Sequence, residues 1–325
     1  MKKHFKKLLL MALMAVMAVG LIACGTDKSD NESTKEEKTS VTITSLDASK
    51  NEIELEVPYN PKRIAILDLA CLDIIDELGV GDRVVGMAST SIDYLEKYSN
   101  DASIKNLGTI KEADLEAVME CEPDIIFIGG RLSNSYDALS EIAPVVYLAT
   151  DTNEGLVNSV SKNAKTIASI FGMEDKVNSL MSDFGARIDA IKKISSGKTA
   201  LVGMTTSGSF NLLGNDGRCS LIGVEAGFNN LTAAGSTSTH GNESSFETVV
   251  QQNPDYIFVM DRDSAISTAG AKTAKEIVEN ELVKTTDAYK NNHIIYLEHS
   301  NVWYTAEGGI QALDIMLTDL EKGLK

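Results

Sequence analysis

The 325-residue chain carries 47 acidic against 30 basic side chains, a formal charge of −17 at neutral pH. A surface this acidic argues against nucleic acid or anionic lipid headgroups as partners, and it makes an arginine held in a cleft informative. Four histidines and four widely spaced cysteines give no metal motif, and Cys71, Cys121 and Cys219 are read as structural thiols rather than a disulfide set.

Residues 1–23 form a targeting segment in which Lys2, Lys3, Lys6 and Lys7 precede an apolar run from Leu8 to Val19. That run is too short to span a bilayer comfortably. It ends in Leu21-Ile22-Ala23-Cys24, the pattern of a lipobox, whose cysteine becomes the lipidated N-terminus. Diacylated Cys24 would hold the chain on the outer face of a cytoplasmic membrane by its lipid alone. Loss of the four lysines deepens the formal charge from −17 to −21. Residues 24–40 have almost no apolar content and read as a flexible tether.

VTITS (41–45) and EIELEV (52–57) alternate about Ser49-Lys50-Asn51, a hairpin pattern. From Arg63 onward strand and helix alternate. RIAIL is a buried strand, CLDIIDELG a helix closed by Gly79, and RVVGM a second strand. LEAVME then reads as a helix, DIIFI as a strand, SYDALSEIA as a helix, and VVYLA as the strand after Pro144. This rhythm predicts a parallel, doubly wound first lobe over 41–172. Over 173–196 the rhythm breaks: Val177, Leu180, Met181, Phe184, Ile188 and Ile191 mark one helical face. Glu174 and Asp175 open it and Lys192 and Lys193 close it, matching the helix dipole. The prediction is one stiff interlobe helix, roughly 34 Å long at 1.5 Å per residue. A second α/β lobe follows over 197–325, with strands KTALVGM, SFNLL and HIIYL and a terminal helix from about Gly308 to Leu320.

The chain also repeats itself. LEAVMECEPDIIFIGGR (115–131) and FETVVQQNPDYIFVMDR (246–262) align without gaps at an offset of 131, pairing Glu116 with Glu247, Pro123-Asp124 with Pro254-Asp255, and Arg131 with Arg262. Each copy reads as a short helix, a Pro-Asp turn, a buried strand and an arginine just past the strand end. Two such lobes facing each other would aim one arginine apiece into a shared cleft.

No Walker loop, no G-x-G-x-x-G after a strand, no G-x-S-x-G and no H-E-x-x-H occurs, so an enzyme has no catalytic constellation to rest on. What remains are arginines at strand ends and loops: Arg131 in GGRLSNSY, Arg218 in NDGRCS and Arg262 in MDRDSA. Guanidinium groups suit anionic oxygens, so the implied ligand is a polyanion. Asp261 and Asp263 flank Arg262 and compete for it. His240 in Ser-Thr-His-Gly and Trp303-Tyr304 after the HIIYL strand join the candidate site, and imidazole and phenolate are donors suited to ferric iron.

In these residues the chain from about residue 41 resembles the class III periplasmic binding proteins of iron-importing ABC transporters. More narrowly it is similar to the ferric-catecholate branch, the petrobactin- and enterobactin-type siderophore-binding lipoproteins. The stretches that carry the resemblance are NLGTIKEADLEAV, EPDIIFIGGRLSNSY, EIAPVVYL, STHG, NPDYIFVMDRDSAI and the VWY…GG tail, and they span both lobes. The resemblance implies two Rossmann-like lobes joined by a single long rigid helix. It implies a ferric catecholate siderophore as cargo and no intrinsic cofactor. Arg131, Arg218 and Arg262 would surround the iron complex with Trp303 beside them, and His240 and Tyr304 would ligate iron when the siderophore is tetradentate. Glu116 and Glu247 would dock a permease dimer that works with its ATPase, and the receptor would be a monomer on a bacterial, Gram-positive type of surface. The usual tail WYLSGGG is here WYTAEGG, which sets Glu307 near the site. The rival expectations are haem on the same scaffold with His240 as axial ligand, a bare Zn²⁺ or Mn²⁺ receptor, and an extracellular α/β enzyme.

Overall fold

The computed structural model describes residues 38–233 and 236–325; the targeting segment, Cys24 and the tether through residue 37 lie outside them. The described chain enters through an antiparallel hairpin, β1 (Ser40–Leu46) against β2 (Glu52–Pro58). Asp47 builds its turn, Oδ1 accepting from the N–H groups of Ser49 and Asn51 at 2.8 and 2.9 Å.

The first lobe holds β3 (Ile64–Ile66), β4 (Val84–Met87), β5 (Lys105–Asn106), β6 (Ile125–Ile128) and β7 (Val145–Tyr147). They form an all-parallel sheet in the order β5-β4-β3-β6-β7. Every residue of β3, β6 and β7 is buried, as strands covered on both faces must be. The second lobe holds β8 (Thr199–Thr206), β9 (Ser209–Leu212), β10 (Asn229–Asn230), β11 (Asn242–Glu243), β12 (Tyr256–Asp261) and β13 (Ile294–Tyr296). Its sheet runs β11-β9-β8-β12-β13 and is mixed, because β9 folds back antiparallel on β8 and β11 pairs antiparallel with β9. In each lobe the strand order reverses once, between β3 and β6 and between β8 and β12. The crevices outside the carboxyl ends of strands at such reversals are where open α/β sheets bind ligands.

The repeated stretch takes the same form twice. Helix Leu115–Glu120 leads into β6 and helix Phe246–Gln252 into β12, each started by a side-chain cap, Asp114 onto Ala117 N and Ser245 onto Thr248 N. The Pro-Asp turn has one job in both copies. Asp124 Oδ2 accepts from the N–H groups of Lys62 and Arg63 at 2.7 and 2.9 Å, and Asp255 Oδ2 accepts from the N–H and hydroxyl of Thr199, both at 2.9 Å. Each carboxylate thus pins the start of its strand to the start of the neighbouring central strand. Asp124→Ala should cost about 1–2 kcal/mol in urea unfolding, since water reaches the two orphaned amides and softens the loss.

One expectation is corrected. Residues 173–196 are two helices, Glu174–Leu180 and Phe184–Ser195, separated by a turn. The Ser182 hydroxyl donates to the Ser179 carbonyl at 2.9 Å and the Ser182 amide bonds the same oxygen, so side chain and backbone together tighten this turn. Val177, Phe184, Ile188 and Ile191 stay buried on one face across the break. The turn preserves the apolar period, which is why the pattern reads as continuous. Behind both helices one apolar cluster runs from Ile64 and Phe127 of the first sheet to Phe258 of the second and Leu320 of the last helix, Ile310–Gly323. A core shared between lobes favours small relative motions over a wide hinge.

Candidate functional site

Arg131 opens the turn after β6, and Arg262 is the residue directly after β12. Both therefore sit at the strand-order reversals. Arg218 reaches the same place from the loop after β9. All three converge on Tyr304, in the short helix Ser300–Thr305. Their guanidinium carbons lie 5.8, 4.5 and 5.7 Å from its ring centroid for Arg131, Arg218 and Arg262 respectively, within cation–π range. The Tyr304 carbonyl accepts from Arg131 Nη2 at 2.9 Å and from Arg218 Nε at 3.4 Å, while its phenol oxygen accepts from Arg262 Nε at 3.2 Å. Asp263 takes part of Arg262, at 3.3 Å from Nη1, but is itself buried and also accepts from the Ser207 amide at 2.7 Å. Asp261 instead caps Ser264 and Ala274, leaving Arg262 free of it.

Three like charges around one ring repel. Burial, then the charge of Arg218, pulls the Arg131 pKa below its ordinary value. Two carboxylates answer them. Asp68 caps helix Leu69–Glu77, accepting from the Cys71 amide at 3.0 Å, and burial raises its pKa against the pull of Arg131. Glu307 is raised by burial against the pull of Arg218 and Arg131. Burial of both carboxylates disfavours their charged forms, while the neighbouring guanidinium groups favour them. The cavity of about 270 Å³ here is lined by Asp68, Arg131, Arg218, Tyr304 and Glu307, and it shares Gly130, Thr150, Asn163 and Glu307 with a neighbouring chamber of about 600 Å³. A Cβ at Gly129 would strike the Asp68 carboxylate, so the first of the two glycines before Arg131 serves this close approach.

Not every candidate joins this cluster. Trp303 points away: it is 0% exposed, and its indole N–H donates to Asp319 Oδ2 at 2.9 Å, so it packs the core behind the cleft and does not line it. Adjacent helix positions face different ways, and Tyr304 has the cleft side. Tyr304 is itself only 4% exposed, so iron ligation by its phenol requires the Arg262 bond to open. His240 is exposed at the rim, in a loop anchored by Arg218 Nη1 on the Thr239 carbonyl at 2.8 Å, and is not among the residues lining the cavity beneath Tyr304. Burial, then the charges of Arg262, Arg218 and Lys111, lowers its pKa, which keeps the imidazole neutral and able to donate to a metal. Asp68 is the residue that reading the sequence missed; Asp before an apolar helix signals a cap, and nothing local shows that the cap also faces Arg131. Glu116 and Glu247 are both exposed, each the second residue of its helix. The helices run back antiparallel to β6 and β12, so both starts lie at the carboxyl ends of the sheets: the Asp114 N–H donates to the Leu107 carbonyl just past β5, and Phe246 stacks on Phe210 of β9. Cys71, Cys121 and Cys219 are free and buried.

Two α/β lobes with three arginines gathered on one tyrosine at the strand-order reversals have the layout in which open α/β sheets hold a ligand. Residues 64–300 match the family described as periplasmic binding protein, and the chain belongs to that family, a family of substrate-binding proteins rather than enzymes. It is 36% identical to the petrobactin-binding protein YclQ of Bacillus subtilis over 98% of this chain and 99% of that protein. The crystal structure of YclQ superposes with a TM-score of 0.81 over 88% of this chain and 99% of that one. The catecholate-siderophore binding protein VctP of Vibrio cholerae superposes with a TM-score of 0.78 at 30% identity, covering 87% of this chain and 100% of that one. The ferric-anguibactin-binding protein FatB of Vibrio anguillarum is 27% identical over 82% of this chain and 84% of its own length.

Proposed function

We propose that this chain is a lipid-anchored extracytoplasmic receptor that binds a ferric catecholate siderophore between its lobes and delivers it to the permease of an ABC importer. The observation that carries this reading is the convergence of Arg131, Arg218 and Arg262 on Tyr304, with Arg131, Arg218 and Tyr304 lining a cavity between the lobes. Fixed guanidinium groups in a partly desolvated cleft complement the anionic oxygens of an iron–catechol complex, and such bonds are stronger than exposed ion pairs. Relatives named for petrobactin, anguibactin and catecholate siderophores support the class of cargo. Arg131, Arg218 and Arg262 hold the complex, and His240, with Tyr304 once released from Arg262, completes the iron shell of a tetradentate chelate. Glu116 and Glu247 meet the permease dimer, and Cys24 carries the lipid; relatives from Bacillus named as lipoproteins support that anchor. Among the described residues no helix is long and apolar enough to cross a membrane. The receptor works as a monomer, with an ATPase driving the permease.

The test is a fluorescence titration with ferric catecholates. Trp303 is buried directly behind Tyr304, so quenching would proceed by energy transfer to the absorption of the iron complex rather than by contact. Saturable quenching by at least one ferric catecholate is the expected result, and none by any of them removes the proposal. Haem is the rival cargo; a Soret band abolished in His240→Ala, without a catecholate response, would favour it.

A further inference from the structure

Two long helices start without a cap of their own. Helix Leu156–Phe171 follows Gly155 and helix Ile310–Gly323 follows Gly309, and neither glycine supplies a side-chain acceptor to the first-turn amides. Each is capped instead by a carboxylate from the opposite lobe. Asp73, on the first-lobe helix Leu69–Glu77, accepts from the amides of Gln311 and Ala312 at 2.9 Å each and from the Tyr94 hydroxyl at 2.6 Å. Glu225, in the second lobe, accepts from the Val157 amide at 3.1 Å. The glycines are conditions of this exchange: a Cβ at Gly309 would strike the Asp73 carboxyl, and one at Gly155 would come within 2.9 Å of Glu225 Oε1, at a backbone φ of 81°.

The first of these caps leads into the cleft. The turn Ala306–Gly309 joins the helix that carries Tyr304 to the helix that Asp73 holds, and Glu307 lies within it. A Cβ at Gly308 would lie 3.1 Å from Ala70 and 3.3 Å from Thr150, so the turn rests directly on the first lobe. Asp68, which faces Arg131, caps the same helix that bears Asp73. One nine-residue helix therefore presents a carboxylate to the arginine cluster and a second carboxylate to the segment that the cluster grips. The other cap holds the helix bearing Asn163, which lines the same cavity.

We infer that Asp73 and Glu225 form a reciprocal interlobe clamp, and that Asp73 is a positioning residue for the ligand cleft, setting Tyr304 and Glu307 against Arg131. Burial pushes Asp73 up to about 6 while the Tyr94 hydroxyl and the amides at the helix start pull it down, so at neutral pH the ionised form, which accepts all three bonds, predominates. The lobes are thus registered by side chains that cross between them, and the two short connecting helices need not be a rigid rod. Opening the lobes to release cargo would have to break both caps.

The experiment uses the full chain as Asp73→Asn, with Glu225→Gln as a second, isosteric variant. Asn keeps one acceptor and turns an amide donor toward the second N–H. In the ligand-free protein, hydrogen exchange should accelerate about tenfold or more over residues 304–313 in Asp73→Asn and over 156–160 in Glu225→Gln, with β8 and β12 unchanged. Binding of a ferric tris-catecholate should weaken about tenfold in Asp73→Asn, and the loss should be less than additive with Tyr304→Phe. Unchanged exchange in both variants overturns the clamp. Faster exchange with wild-type affinity, or strict additivity with Tyr304→Phe, overturns the positioning role. The affinity arm rests on the proposed cargo and the exchange arm does not, so a wild-type protein that ignores ferric catecholates defeats the functional reading and leaves the clamp to be decided by exchange.

Discussion

Replacing Arg131 and Arg218 together by methionine is expected to weaken binding of a ferric tris-catecholate by about 10²- to 10⁴-fold, with the thermal midpoint unchanged or raised. Hydrogen bonds to charged groups contribute about 1.5–3 kcal/mol each, and two lost together make about 3–6 kcal/mol, at about 1.4 kcal/mol per decade of affinity. The stability half of the prediction follows from the sign of the Arg131 shift. Burial and Arg218 lower its pKa, which means the folded state disfavours its charge relative to the unfolded chain, and at neutral pH that charge is present. Methionine keeps the apolar stem of each side chain and removes the mutual repulsion, which offsets the bonds lost to the Tyr304 and Thr239 carbonyls and the counter-charge lost to Asp68 and Glu307. Arg262 should behave differently. Its Nη1 faces Asp263, a buried carboxylate, so Arg262→Met should lower the thermal midpoint along with the affinity. Equilibrium titration and a thermal melt on the same samples separate the two patterns. Wild-type affinity in the double variant would mean that the cluster serves the fold alone.

That contrast marks how far the sequence could be read. The twin stretch shows Arg131 and Arg262 just past buried strands whose starts the Pro-Asp turns fix, and local pattern determines such features. Arg218 rested on its loop context and joins the others through Tyr304. Trp303 was misplaced because a Trp-Tyr pair does not say which residue faces inward; Asp319, which claims the indole, lies 16 positions away on the next helix. The break at 181–183 was hidden because a serine turn kept the apolar face in phase. Hardest to read were Asp73 and Glu225. Their acceptors serve amides 239 and 68 positions away, and the only local sign is a helix that starts at glycine without a cap.

Reversing both Glu116 and Glu247 to lysine is expected to abolish siderophore-dependent iron uptake by cells while leaving the affinity of the purified protein at its wild-type value. Both side chains are exposed at the second position of helices whose starts are capped by neighbours, Asp114 and Ser245, so neither glutamate is needed to begin its helix. Neither glutamate is among the residues lining the cavity that holds Arg131, Arg218 and Tyr304. A charge change at these solvent-exposed positions is screened by salt from a cargo held in the cavity. At the permease it replaces an attractive carboxylate with a like charge if the receiving surface is basic, and two such contacts, one per lobe, fail together. Glu116→Gln with Glu247→Gln removes the charge without reversing it and should give intermediate uptake of radiolabelled iron, and reversal in a single lobe should do the same. Loss of affinity in the purified double-lysine protein would assign the glutamates to the fold or the cleft. Full uptake would sink the docking role and leave the repeat as a device for aiming arginines only.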